Sequence, residues 1–402
     1  MSKRTSRTAA VAAAMATVAA LAVGSAGPAV AGPYPGGVTI SSPPVEPGTY
    51  SSELKAANGN GDSVSLVTVG DVAQGGPVRT YLLIWTVGRS THSLDLLPGD
   101  TGASAAGINN ALTVIGTSRS QTSGAQHAVR WTTSATPVEL PPLPGDSTAA
   151  PAAISDTGTA VGTSWDSAAG HAVAWPPSGA AVALPPLPGD AGSAAVAVNA
   201  SGRAVGHSYA AGAGGAPRAV TWAPDGTVTA LAVPAGYVSS SATRVTDTGI
   251  VIGTGRPGGP SAAEHALVWN AAGAVADLGP GSLATAVNNG GTVVGSAGGQ
   301  AARWAIDGTP LPLAPTALAS VATAVNDQGV VVGYTSDPPP ARAQYYAQRW
   351  NPDGSVFALP QWSQAYPHSR PSFITNSRIV VGELILRGNA NYGRPFVLRW
   401  DL

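Results

Sequence analysis

Cysteine is absent from this 402-residue chain and charge is scarce: 10% of side chains are charged against 44% hydrophobic, for a formal net charge of −1. Without cysteine there is no disulfide framework, no thiolate nucleophile and no Cys-ligated metal. A balance this near neutrality supplies no basic surface to neutralise phosphates, so nucleic acid is not expected as a partner. Sulfur is otherwise limited to Met1 and Met15, and aromatics to 6%. What is abundant is punctuation. The 51 glycines and 35 prolines form about a fifth of the chain and divide it into short elements separated by turns.

Residues 1–31 read as a secretory signal peptide. Lys3, Arg4 and Arg7 precede an Ala/Val-rich run from Thr8 to Val23, and Ala29-Val30-Ala31 is a small-residue cleavage site, cut before Gly32. A membrane anchor is the competing reading, but Gly24, Ser25, Gly27 and Pro28 interrupt the run before the roughly 20 residues needed to span a bilayer. No adjacent arginine pair stands near the start, which points to the general secretory route. The expected location is secreted, extracellular or cell-wall associated, with no membrane span after cleavage. An N-terminal segment, 32–47, then leads into a repeat domain, 48–402.

The repeat is set by tryptophan. Trp85, Trp131, Trp175, Trp222, Trp269, Trp304, Trp350 and Trp400 recur about every 45 residues, and a glycine keeps step at Gly70, Gly116, Gly162, Gly206, Gly253, Gly295, Gly333 and Gly382. Segments such as Val287-Asn-Asn-Gly-Gly-Thr-Val-Val-Gly295 read as strand, tight turn, strand, because Asn and Asp cap turns with their own side chains and Gly supplies positive φ. His265-Ala-Leu-Val-Trp269 gives a third strand that is apolar on both faces and must be covered on both. Val138-Glu-Leu-Pro-Pro-Leu143 gives a fourth strand ended by proline, which suits a sheet edge.

Four short strands per unit, repeated, predict an all-β fold: a β-propeller of eight four-stranded blades, with seven as the alternative count. The small residues of the first strand, such as Ala195 and Ala197 or Ala322 and Ala324, suit the crowded axis, while the indoles fill the widening space farther out. The first unit looks degenerate, without a clean Asn-x-x-Gly turn, and the chain stops at Trp400-Asp-Leu402, one strand short of a blade. Closure of the ring by the N-terminal segment, from within residues 36–50, would account for both ends.

The His-Ala-x-x-Trp strand, preceded by Ile/Val-Asn-x-x-Gly-x-Val-Val-Gly, resembles the HAF family of bacterial extracellular repeats over roughly residues 60–400. His127-Ala-Val, His171-Ala-Val and His265-Ala-Leu keep the first two letters of the family's His-Ala-Phe, while Arg218, Gln300 or Tyr346 stand in for the histidine elsewhere. The resemblance implies export and a repeat fold, and no defined activity.

Reactive residues are thinly spread. His127, His171 and His265 lie in separate units, too far apart around a ring to share a metal, so each is expected to bond a neighbouring strand or loop. Gly206-His-Ser-Tyr-Ala210 resembles a nucleophile elbow, yet no helix follows, which places Ser208 on a hairpin strand instead. Asp100, Asp146 and Asp190 close Leu-Pro-Gly-Asp segments between units. They are read as turn caps, with structural calcium as the alternative and no other cofactor expected. The C-terminal unit is enriched in aromatics and cations: Trp362, Tyr366, His368, Arg370, Tyr392 and Arg394 are candidate ligand contacts, or bulk for the closing blade.

These features point to a secreted, non-enzymatic scaffold that binds envelope carbohydrate or an extracellular protein. The rival reading is a polysaccharide-acting hydrolase or lyase at the axial mouth. It requires two carboxylates, or a His/Arg pair with a Tyr, facing one opening. A passive surface-layer component is the third.

Overall fold

The asparagine-glycine turns act through their side chains. In the turn from Asn199, the Asn199 main-chain N–H donates to the Arg203 carbonyl (3.1 Å) and its Oδ1 accepts from the Arg203 N–H (3.0 Å), while Gly202 takes the φ of +83° that closes the loop. The same turn recurs at Asn109, Asn288 and Asn326. It recurs in the first unit too, where Asn58 accepts from the Asp62 N–H at 2.9 Å and Gly61 has φ +92°. The first unit therefore has the Asn-x-x-Gly turn that its sequence seemed to lack.

The structure is a computed structural model. It describes residues 29–31, 38–44, 46–70, 78–120, 123–132, 137–211, 215–259, 262–337, 344–363, 368–387 and 393–402. Every regular element among them is a strand or a turn. Eight antiparallel sheets follow one another: blades 1 to 7 occupy residues 49–94, 102–139, 148–184, 192–230, 237–280, 283–311 and 319–358, each a meander of four strands. The fold is a β-propeller of eight blades. The eighth takes three strands from residues 369–401, and outside them lies Thr39–Ser42, in register Thr39↔Asp401, Ile40↔Trp400, Ser41↔Arg399. Ala29–Ala31 pairs in turn with Thr39–Ser42 as a fifth strand.

Because every blade has the same meander, one face of the ring carries the turns between first and second strands. The opposite face carries the segments that link blades. We call these the turn face and the linker face.

All eight innermost strands carry a β-bulge at the same point, where two residues oppose one on the second strand. The extra residues are Lys55, Ala106, Ala152, Val196, Thr243, Thr285, Thr323 and Ser372. Ala105, Pro151, Ala195, Ala242, Ala322 and Pro371, which precede six of them, are buried, while the bulged residues are more open and six of the eight line the axial cavity. The bulge also brings a first-strand carbonyl over the second strand, and in seven blades a glycine lies beneath it. A Cβ at Gly116, Gly162, Gly206, Gly253, Gly295, Gly333 or Gly382 would lie 1.8 to 2.3 Å from that oxygen. In blade 1 the position falls on Ser65, not on Gly70: Leu54 faces Ser65 as Ala105 faces Gly116, and Gly70 lies at the far end of its strand.

The core lies between blades rather than within them. Val64, Leu82, Ile84 and Leu94 of blade 1 pack on Ala105, Ile108, Val114, Val129 and Trp131 of blade 2, and equivalent clusters follow around the ring. All eight repeat tryptophans lie on third strands and are at most 4% exposed. Each indole buries about 200 Å², contributing up to about 5 kcal/mol. Six also donate Nε1–H to a carbonyl just past the fourth strand of the preceding blade: Trp131 to Asp95 (2.7 Å), Trp175 to Pro141 (2.8 Å), Trp222 to Pro185 (2.7 Å), Trp269 to Ala232 (2.5 Å), Trp350 to Ala314 (3.1 Å) and Trp400 to Pro360 (2.9 Å). These six tryptophans thus fill the gap to the neighbouring blade and bond to it.

The joint between blades 8 and 1 is different. Among the described residues its fully buried cluster is only Trp85, Val381 and Val397, and Trp85 Nε1 finds no hydrogen-bond partner there. Arg399 covers the Trp85 ring at 4.5 Å instead and donates to the Thr86 carbonyl (3.4 Å).

Two outcomes follow. Gly206→Ala places a methyl 2.0 Å from the Ala194 oxygen, so the bulge must shift, at a cost of about 1–3 kcal/mol or more. Gly102→Ala, with nothing within 4 Å, is near neutral; urea unfolding of both variants measures the contrast. Ile40 is fully buried in the core of blades 7 and 8, so Ile40→Ala should cost about 2–5 kcal/mol. An unchanged unfolding midpoint would mean that Thr39–Ser42 does not close the ring.

Candidate functional site

The turn face surrounds the axis with two concentric sets of side chains. In five turns the first residue is an asparagine that reaches the next blade: Asn58 Nδ2 donates to the Asn109 carbonyl (2.9 Å), Asn109 to Ser155 (3.1 Å), Asn199 to Thr246 (2.9 Å), Asn288 to Asn326 (2.9 Å) and Asn326 to Thr375 (3.1 Å). The following residue accepts from the blade before. Asp156 takes the Asn110 N–H (2.9 Å) and Nδ2 (2.6 Å), Asp247 takes the Ala200 N–H (2.8 Å), and Asp327 takes the Asn289 N–H (3.0 Å) and also, from the blade after it, the Asn376 amide (2.8 Å).

Asp156, Asp247 and Asp327 therefore line one opening, a cavity of about 480 Å³. All three are already engaged in stitching blade to blade. Burial alone would raise the Asp327 carboxyl, but the amide donors of Asn289 and Asn376 outweigh it and hold the group below the usual carboxylate range. Such a carboxylate stays ionised and is poorly suited to general-acid work.

Below the mouth the axial channel continues as a cavity of about 570 Å³ walled by Ala56, Ala106, Gly107, Ala153 and Ala197, with Lys55, Arg244 and Phe373 as its large side chains. Lys55 is paired with Glu53 at 2.7 Å.

On the linker face, the Leu-Pro-Gly-Asp carboxylates and the third-strand histidines meet. His127 Nδ1 lies 3.3 Å from Asp100 and His171 Nδ1 3.1 Å from Asp146; where arginine replaces histidine, Arg218 pairs with Asp190 at 2.6 Å. His265 pairs with Asp277 of its own fourth strand (2.9 Å), which also accepts from the Tyr237 hydroxyl (2.6 Å). Asp190 sits below the usual range: burial would raise it, but Arg218 and Ser208 outweigh that. Ser208 is on the second strand of blade 4, fully buried, and accepts from the Leu187 N–H (3.0 Å). Ser118 and Ser164 do the same for Leu97 and Leu143. The apparent elbow serine is a repeated clamp on the blade-linking segment. Both partners of the Asp–His pairs were visible in the sequence. Their pairing showed only in the replacement of His by Arg218 while Asp190 stayed.

One cation-binding set appears among the described residues. Ligand atoms of Asp146, Asp166 and His171 lie within 4.8 Å of one another. His171 already bonds Asp146, and Asp166 Oδ1 accepts the Ala168 and Ala169 N–H groups (both 2.7 Å). Calcium takes six to eight oxygens, more than this set supplies.

The C-terminal candidates divide. Trp362 is half-buried against the core of blades 7 and 8. His368 lies edge-on to Tyr346, with ring centroids 5.5 Å apart. Arg370 ion-pairs with buried Glu383 (3.1 Å) and lies over the Tyr345 ring (5.5 Å), which is itself edge-on to Tyr334 (5.1 Å). Burial raises the Tyr334 hydroxyl above its ordinary pKa. Tyr366 and Tyr392 lie outside the described residues, and Arg394 enters only as backbone, opposite Leu386. A part-exposed group of Tyr334, Tyr345, Tyr346, His368 and Arg370 thus occupies the linker face between blades 7 and 8. The sequence pointed to its two polar members but not to the tyrosines of blade 7, which looked like ordinary repeat positions.

No helix among the described residues is long and apolar enough to cross a membrane. No protein-family model matches the chain and no curated protein matches it. Solved structures do. The β-propeller domain of the Trilobed protease from Pyrococcus furiosus, with an open velcro topology, is 9% identical over 88% of this chain and 94% of that one, with a TM-score of 0.46. Virginiamycin B lyase from Staphylococcus aureus is 12% identical over 76% and 95%, TM-score 0.40, and TolB from Acinetobacter baumannii 15% identical over 75% and 80%, TM-score 0.36. The chain is similar to propellers found in peptidases, a lyase and TolB.

Proposed function

We propose that the protein is a secreted, non-enzymatic propeller that binds envelope carbohydrate through its linker face. The observation that carries this reading is the group between blades 7 and 8. Aromatic rings that are half-buried and fixed by edge-on contacts present flat faces at little entropic cost, and the Arg370 guanidinium beside them adds hydrogen-bond donors. Arg370 is held by Glu383, which also accepts the Leu54 N–H (3.0 Å), so the cation is anchored to the neighbouring blade.

The hydrolase reading has its carboxylates at the mouth, but each serves a main-chain donor of the preceding turn. A glycosidase needs one carboxyl kept protonated near neutral pH, and Asp327 is shifted in the opposite sense. The same-face Asp–His pairs sit in separate blades and fix linkers.

The test is a glycan array together with pull-down on cell-wall polymer, using the full chain. The expected result is retention on polymer that falls at least about tenfold in Tyr345→Ala and in Tyr346→Ala, with unfolding midpoints near that of the parent. A blank array and a blank pull-down would remove the reading. Release of soluble sugar from the polymer would replace it with the hydrolase.

A further inference from the structure

Arg244 is the odd residue of the axial channel. The position after the bulge holds Ala56, Gly107, Ala153, Ala197, Ala286 and Ala324 in six blades and Phe373 in the eighth; in blade 5 it holds arginine. Its side chain is exposed to the water of the channel that it lines, and Nε donates to the Thr285 carbonyl of blade 6 (2.7 Å). Other arginines of the ring are matched. Arg130 donates to four carbonyls of the next blade, while Arg218, Arg370 and Arg399 meet carboxylates. Among the described residues no carboxylate forms an ion pair with Arg244. Desolvation by the channel wall lowers its pKa, with no neighbouring charge to offset it. A guanidinium that lines a channel without a counter-charge offers an anion site, since its fork of donors fits a carboxylate in two parallel hydrogen bonds.

Arg244 and Phe373 line both the mouth and the channel, so they stand at the neck where the two cavities meet. The channel, at about 570 Å³, is within the size range of small-molecule sites. The mouth also sets a limit on charge. Asp156, Asp247 and Asp327 ring the opening and repel a dianion more strongly than a monoanion. We infer that the axial channel binds a small organic monocarboxylate, of the kind an acidic sugar unit presents, with its carboxylate on Arg244 and its ring body towards Phe373. This site is separate from the linker-face group and does not depend on it.

The experiment is calorimetric titration of the full chain at fixed ionic strength with glucuronate, glucose and inorganic phosphate. Glucuronate should bind saturably, phosphate more weakly and glucose not at all. Arg244→Gln should weaken glucuronate at least tenfold, while Gly102→Ala, with nothing within 4 Å of the added methyl, leaves it unchanged. Independently of any variant, glucuronate should protect Arg244 of the parent protein from an arginine-selective dicarbonyl reagent, read by peptide mass spectrometry, and should leave Arg218 reactive. Absence of glucuronate binding, equal binding by Arg244→Gln, tighter binding of phosphate, or unprotected Arg244 would each overturn the inference.

Discussion

Sheets arranged around an axis cannot be parallel slabs. The space between neighbours is narrow at the centre and wide at the rim, and side chains must follow that taper. At the narrow end the chain uses glycine beneath a carbonyl and alanine, serine or threonine along the strand; at the wide end it uses an indole. The two requirements fall on successive strands of one unit, so a single four-stranded motif satisfies both and repetition does the rest. Because the filler is also a donor, six tryptophans lock to the carbonyl of the preceding blade while they fill the gap. Packing and polar satisfaction are met by one residue.

Six of the eight joints carry the indole hydrogen bond, and the joint between blades 8 and 1 departs from the others most. Between blades 8 and 1 the indole hydrogen bond is missing, Arg399 stacks on Trp85, and the outer strand comes from the opposite end of the chain. The aromatic group at blades 7 and 8 lies next to this joint. The Arg370–Glu383 pair connects the two, since Glu383 bonds Leu54 of blade 1 on one side and Arg370 on the other.

The architecture was legible because its signals are periodic: tryptophan spacing, the Asn-x-x-Gly turn and the small first strand each repeat. Legibility failed where one unit departed from the pattern. Gly70 lay at the expected distance from Trp85, and linear spacing could not show that Ser65 takes the glycine's place in register. Asn58-Gly-Asn-Gly61 was hidden by the extra glycine in its turn. The site was less legible for a different reason. Tyr345 and Arg370 are brought together by the junction of two blades, and Arg244 and Phe373 line one channel that no local pattern implies.

The bulge that turns one residue per blade towards the axis separates two roles that most folds combine. Packing between blades rests on the buried residues before Ala106, Ala152, Val196, Thr243, Thr323 and Ser372, while six of the eight bulged residues line the axial cavity. The bore is thus tiled independently of the masonry behind it: its polarity and calibre can drift one tile at a time, and a scaffold of constant stability can present many different interiors.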